Sequence, residues 1–416
     1  MTRRRRIALL AVAALLLVAV LSLRWLLKPE HMAPAILDLA GEALGLEITA
    51  RGIGEYRLRG TPQLVVRDVT AREPGAKTAL LHAERIFISV PWSTLRARGR
   101  DLTATRLELD APVLDVAALQ DWLQKRPPSD RPLPTLTRGI RIVRGSVVGM
   151  SWKINDLDAE LESLAPGRPL RSHLRGRYAS DNLVIPVDIH ATLTHPGSGA
   201  GLGVAGQVTL QGGQWQLPVQ MKLSAKLRGE DSLRLQRAVL AAQARYVSGD
   251  TDQPFALGIA GPLRFADGVI DLQPAGLALR GQDAMPTLDA AGGFSLGKTL
   301  RLDLEGKLAG WPSAWPSLPP PLGQSASPLP FALSYDGNSD FSGVTALQLR
   351  RDDTRFDGRF RLFEMTQWID AGGKGSPLPP LAGSLATPRL EISGATLEGV
   401  EIRIDDPGLP TDMPIR

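Results

Sequence analysis

The 416-residue chain has no cysteine. That excludes disulfides, thiolate metal sites and a lipoprotein anchor, which needs an acylated Cys. A chain of this kind, if exported, depends on its own core or on its partners for stability. Histidine is scarce as well: His31, His82, His173, His190 and His195 are the full set. His190 and His195 are separated by Ala-Thr-Leu-Thr, which is not the i, i+4 spacing of a helical metal motif. They flank a strand end and read as surface residues. Nucleotide and nucleophile signatures are missing too. There is no G-x-S-x-G, no Walker A and no Rossmann fingerprint in a βαβ context. Gly201-Leu-Gly-Val-Ala-Gly206 fits G-x-G-x-x-G by letter, but it leads into strand-like Gln207-Val208-Thr209-Leu210 rather than a helix. Asp352, Asp353 and Asp357 have Arg351 and Arg355 among them, which repel a cation, so the cluster reads as a hairpin turn. These absences nominate no catalytic residue, metal or cofactor, and the expectation is a protein that is not an enzyme.

Net charge of one sign is also lacking once residues 1–28 are set aside. The chain carries +5 overall, with 48 Lys+Arg against 43 Asp+Glu. Six of those cations and none of the acids lie in residues 1–28, leaving 42 against 43. The high pI therefore gives no footprint for nucleic acid. The basicity is topological. Arg3, Arg4, Arg5 and Arg6 precede an apolar run from Ile7 to Leu23, interrupted only by Ser22 and followed by Arg24, Trp25 and Lys28. Such a run is just long enough to span a bilayer as a helix. The arginines belong on the cytoplasmic side, with the bulk of the chain exported. Ile7, Leu10, Leu15, Leu16, Leu17, Val20 and Leu23 form the span and Trp25 is its interfacial anchor. A cleaved signal peptide is the alternative, but Leu21 to Leu27 offers a poor small-x-small site.

What the chain has in quantity is glycine, 42 residues, proline, 33 residues, and period-two alternation. Residues 106–110 (RLELD), 219–228 (VQMKLSAKLR), 301–305 (RLDLE) and 401–405 (EIRID) each place aliphatic residues on one face and polar ones on the other. Gly212-Gly213, Asp267-Gly268, Asp336-Gly337-Asn338 and Asp357-Gly358 read as turns between strands. The pattern predicts a long antiparallel meander rather than βαβ alternation. Two soluble helices are expected. One runs over 34–44, with Ile36, Leu37, Ala40, Ala43 and Leu44 as its stripe and Gly45 as C-cap. The other runs over 116–125, with Asp115 as N-cap and Leu119, Trp122 and Leu123 as its apolar face. The organisation reads as 1–28 cytoplasmic tip and anchor, 29–126 first β segment, 127–137 Pro-rich linker, 138–310 middle β-meander, 311–330 Pro-rich loop and 331–416 C-terminal β segment.

Residues 33–53 (APAILDLAGEALGLEITARGI), Pro62 to Val69, Ala79 to Ile86 and Leu107 to Leu114 together resemble the N-terminal region of the AsmA-like family of bacterial envelope proteins. Residues 139–178 also look family-like, with an Ile140 to Val147 hairpin that has Arg144-Gly145 where Asn-Gly is more typical. The resemblance implies a single-pass protein of the bacterial inner membrane carrying a mainly β periplasmic portion. That portion is a long curled antiparallel sheet, or β-groove, with one or two short helices. The family is linked to phospholipid transport and outer-membrane homeostasis, so the implied partners are membrane and phospholipid, and other envelope proteins through sheet edges. From alternation alone, Leu107, Leu109, Met221, Leu223, Leu227, Leu257, Ile259, Leu302, Leu304, Ile402 and Ile404 are the candidate groove-lining residues. Two alternatives stay open. Alternating strands also make closed sandwiches, and the chain could be an envelope scaffold, including a secretion-system accessory subunit.

Overall fold

A computed structural model describes residues 37–409, apart from 39–40, 43, 58–59, 97–102, 126–134, 229–232, 267, 316–317, 319, 326, 372–377 and 393–394. The expected anchor, from Arg3 to Trp25, lies outside the described residues, as does most of the Pro-rich linker. Among the described residues no helix is long and apolar enough to cross a membrane. Strand accounts for 65% of the structure, against roughly 20–25% in ordinary globular domains. The fold is mainly β, mostly antiparallel, with few short helices. It forms two compact units, residues 1–190 and 191–416.

In the first unit, strands Glu47–Arg57, Gln63–Arg72 and Leu81–Ser89 form an antiparallel meander, and Arg106–Asp110 pairs antiparallel to the third. The meander expectation then fails at one place. Arg106–Asp110 and Val113–Asp115 pair parallel to Ile140–Val148. Parallel neighbours need a long crossover, and residues 116–139 supply it, with the helix Val116–Gln124 inside. Trp152–Leu161 and Leu170–Ser180 then continue antiparallel. Helix Val116–Gln124 is the expected second helix, and the first, expected over 34–44, is described only in part, with Ile36, Ala40 and Ala43 outside the described residues. Asp115 caps Val116–Gln124 by accepting from the Ala118 N–H at 2.9 Å. Residues 37–38, 41–42 and 44 are helical, and Gly45 ends that segment at φ 59°. Leu46 N donates to Gly41 O and Gly45 N to Glu42 O, the paired closure that a left-handed C-terminal glycine permits. Leu37 on this segment packs over the buried Leu64, Val66 and Val69. Arg144-Gly145 is not the turn of a hairpin. Arg144, at φ 55°, marks a register shift inside Ile140–Val148, and the chain reverses at residues 149–151.

In the second unit, strands from Gly201–Gly212 to Ala395–Ile404 pair antiparallel, each with the next. Turns fall at residues 213–214, one residue later than the expected Gly212-Gly213, and at Gly268, whose expected turn partner Asp267 lies outside the described residues. Asp357-Gly358 is a correction: it lies inside Thr354–Arg361, and the reversal before that strand is Asp352-Asp353. A Cβ on Gly358 would lie 2.5 Å from the Phe356 ring, so this glycine makes room for an aromatic rather than a bend. Two helices escape the pattern, Trp92–Arg96 in the first unit and Leu362–Asp370 in the second. Bulges concentrate at one level of the sheet. Register shifts occur at Ser224/Lys226, Leu235/Ala238, Ala260/Leu263 and Leu272/Ala275 in successive pairings. These are two bulges, each met from both neighbouring strands, with one extra residue near Arg237 in Leu233–Ser248 and one near Pro274 in Val269–Arg280, and together they bend and twist this part of the sheet.

The densest packing is the cluster of Leu308, Leu322, Leu329, Leu349 and Leu385. Leu329 is fully buried, at 0% exposure. Leu329→Ala is expected to cost about 2–5 kcal/mol of stability, whereas Val239→Ala, at a half-exposed position, costs under about 0.5 kcal/mol. Denaturant midpoints of the two variants measure the difference.

Candidate functional site

Residues directly paired in an antiparallel ladder point to the same side of the sheet. In the second unit this places Val204, Leu223, Leu240, Ile259, Leu277, Ala290, Gly306, Phe331, Leu349, Phe356, Leu385 and Ile402 in one continuous row across twelve strands. No member is polar. A neighbouring row joins Gly206, Met221, Ala242, Leu257, Leu279, Leu288, Leu308 and Leu329. Another runs from Leu227 through Leu235, Leu263, Leu272, Phe294 and Leu302 to Tyr335. A fourth joins Gly292, Leu304, Leu333, Leu347, Gly358, Gly383 and Ile404. The nine residues that alternation selects in this unit, from Met221 to Ile404, therefore all lie on one apolar face. In the first unit, Leu109 is in line with Val66, Ile86, Ile142, Ala159 and Leu174, and Leu107 with Leu64, Ile88, Ile140 and Leu161.

Cover over the face is uneven. Across Gly201–Leu296 most large side chains of these rows, among them Val204, Met221, Leu223, Leu257, Ile259, Leu277 and Phe294, remain partly exposed, while Leu235 and Leu272 are buried. Along Trp215–Arg228 burial alternates residue by residue, with no side chain fully buried. In a closed sandwich these positions would be interior. Cover appears further along the chain, where Trp311, Leu318 and Leu322 of the Pro-rich loop pack on Leu308, Leu329, Leu349 and Leu385. Buried Arg351 holds this loop: its Nη1 donates to Leu322 O at 2.7 Å and Ser325 O at 2.8 Å. The row ends less covered. Ile402 is 41% exposed and Leu397, on the same strand, 48%. Nearby in sequence, helix Leu362–Asp370 leaves Leu362 and Phe363 exposed.

The opposite face is polar and ion-paired. Arg280 meets Asp289 and Arg301 meets Asp336, each at 2.6 Å. Ser334 donates to Asp303, and Gln348 to Asp357. The Asp336 carboxylate holds the Arg301 guanidinium above its ordinary pKa by accepting its hydrogen bonds. Exposed pairs of this kind add little to stability because water screens them, so their effect is on solubility and register. A recess of about 590 Å³ on this side is lined by Asp289, Glu305, Lys307, Gln348 and Arg350, with Ala291 and Ala332 as its small floor residues. Its charges are of both signs, and Asp289 stands directly opposite Lys307, so they converge on no ligand.

Sequence reasoning missed Val204, Leu240, Leu277, Phe294, Leu333 and Leu347 as members of the apolar rows. The bulges explain the omission of Leu240 and Leu277, since an extra residue at Arg237 or near Pro274 breaks the alternation within each strand. It also missed the role of Arg351 and the approach of His173 to His190, which stack at 4.1 Å. His195 stays at the surface beside Thr194.

Arg351→Met keeps the aliphatic stem but leaves two loop carbonyls without their donor. The expected result is a loss of about 2–3 kcal/mol and faster proteolytic cleavage within 311–328 than in the wild type, read by timed digestion. No family model, curated protein or solved structure matches the chain.

Proposed function

We propose that this is a membrane-anchored envelope protein of the AsmA-like kind, with its apolar sheet face sheltering the acyl chains of phospholipid. The observation that carries the reading is the twelve-strand apolar row, whose large side chains stay partly exposed from Val204 to Leu277. Water is a poor partner for such a partly exposed surface, and contiguous apolar patches open to solvent mark binding surfaces. An acyl chain laid on the rows regains about 0.8 kcal/mol per buried CH₂, so a lipid leaving a bilayer loses little. The headgroup remains in water, which requires no charged pocket. Guidance is passive, because the chain has no nucleotide motif. The Arg3–Arg6 cluster and the Ile7–Leu23 span hold the chain at the inner membrane, with residues after Lys28 in the periplasm.

A second reading, an assembly scaffold, has one observation in its favour. Among the described residues Ala395–Ile404 pairs only with Leu381–Ile392, so its outer edge is free to add a partner strand.

A photo-crosslinking amino acid at Leu223 or Leu257 of the full-length chain is expected to capture phospholipid in cells, and one at Lys222 on the opposite face is not. Leu223→Glu and Leu304→Glu should abolish the adduct at Leu257 while circular dichroism stays unchanged. Equal capture at Lys222, or none at any apolar position, would reject the lipid reading. Protein adducts from a crosslinker at Val400 would then favour the scaffold.

A further inference from the structure

The five histidines look scattered in sequence, but the hairpin of Leu170–Ser180 and Val184–Leu193, turned at residues 181–183, gathers two of them. His190 and Asp188 are two residues apart on one strand, so both side chains project from the same face. His173 lies on the neighbouring strand. Its Nε2 donates to Asp188 Oδ1 at 2.7 Å, and its ring stacks on that of His190 at 4.1 Å with an interplanar angle of 9°. One ligand atom from each of the three residues lies within 4.8 Å of the others. This is the polar face of the sheet, the side opposite the row that ends at Leu174: His173 is paired opposite Glu160, not opposite an aliphatic residue.

We propose that His173, Asp188 and His190 form a binding site for a divalent transition ion of the zinc class. The donor set is two imidazoles and a carboxylate, which suits Zn²⁺ and its neighbours and not Mg²⁺ or Ca²⁺. Zn–N and Zn–O bonds of about 2.0–2.1 Å need the two rings to tilt toward a common point, and both are free to do so because His173 and Asp188 are half-exposed and His190 is exposed. The ion takes the place of the proton now shared between His173 Nε2 and Asp188 Oδ1. Arg175 donates to the other oxygen, Oδ2, from Nε at 3.1 Å and Nη2 at 3.0 Å, which orients Oδ1 toward the imidazoles as outer partners of metal ligands do. Glu160, opposite His173 in the register, or water completes the shell. In a chain without disulfides, the ion cross-braces two adjacent strands.

The test is zinc titration of the full-length, metal-stripped protein by calorimetry, with the X-ray absorption spectrum of the zinc-loaded protein as a second readout. One ion per chain is expected, with two imidazoles in its shell. His173→Gln and His190→Gln should each weaken binding at least about tenfold, whereas His195→Gln should leave it unchanged. Substoichiometric uptake, a shell without imidazole, or wild-type affinity in the two histidine variants would overturn the site. Because the spectrum is recorded on wild-type protein, misfolding of a variant does not leave the proposal undecided.

Discussion

Everything in this structure depends on a single constraint, the two-residue period of an extended strand held in register with its neighbours. An antiparallel ladder fixes which residues face each other, and a slip of one residue would send every side chain to the other side. In the second unit the register is kept from Val204 to Ile402, through bulged and unbulged strands alike. The aliphatic side chains therefore accumulate on one surface and the charged ones on the other. No disulfide reinforces the arrangement. Its cohesion comes from backbone hydrogen bonds and from whatever the chain can fold over its apolar side.

That cover is supplied in pieces. In the first unit Leu37 packs on the sheet. In the second, a loop too rich in proline to be a strand contributes Trp311, Leu318 and Leu322, fastened by a buried guanidinium that grips two carbonyls. Proline suits this role, since a segment that donates few backbone hydrogen bonds can lie across a sheet without competing for its ladder. The contrast between Leu329 under the loop and Leu223 outside it is one of cover, not of sequence: both are leucines on the same face. The physical question is what shields the residues beyond the loop, and the acyl chain proposed above would do so with no specific polar recognition.

Much of this was legible before any coordinates. Strict alternation in RLDLE and VQMKLSAKLR assigns Leu302, Leu304, Met221, Leu223 and Leu227 to one face, where they are found. Asp115 reads as a helix cap and caps one. What alternation could not convey involves structure at a distance. Gly358 resembles half of a turn, but its neighbour Phe356 needs the space above it. Helix Leu362–Asp370 begins at Arg361, without a side-chain cap, so no start signal precedes it. The parallel pairing of Ile140–Val148 depends on a crossover whose ends meet only in three dimensions. His173 and His190 follow the same logic, because a hairpin, not a short spacing, brings them together.

The sheet edge bears on the choice between the two functional readings. A flat, uncharged edge invites strand addition, and natural edges are blunted by charge and by breaks in the extended backbone. Ala395–Ile404 carries Glu398, Glu401 and Arg403, the last two joined at 2.7 Å. At its centre Gly399 adopts φ 62°, in the left-handed region that interrupts a regular ladder. An incoming strand would meet charge on both sides of that interruption. The apolar rows present no such obstacle. Charge and kinked backbone guard the edge, and no polar residue interrupts the row from Val204 to Ile402. The balance of physical features therefore favours a ligand that lies on the face over a partner that extends the edge.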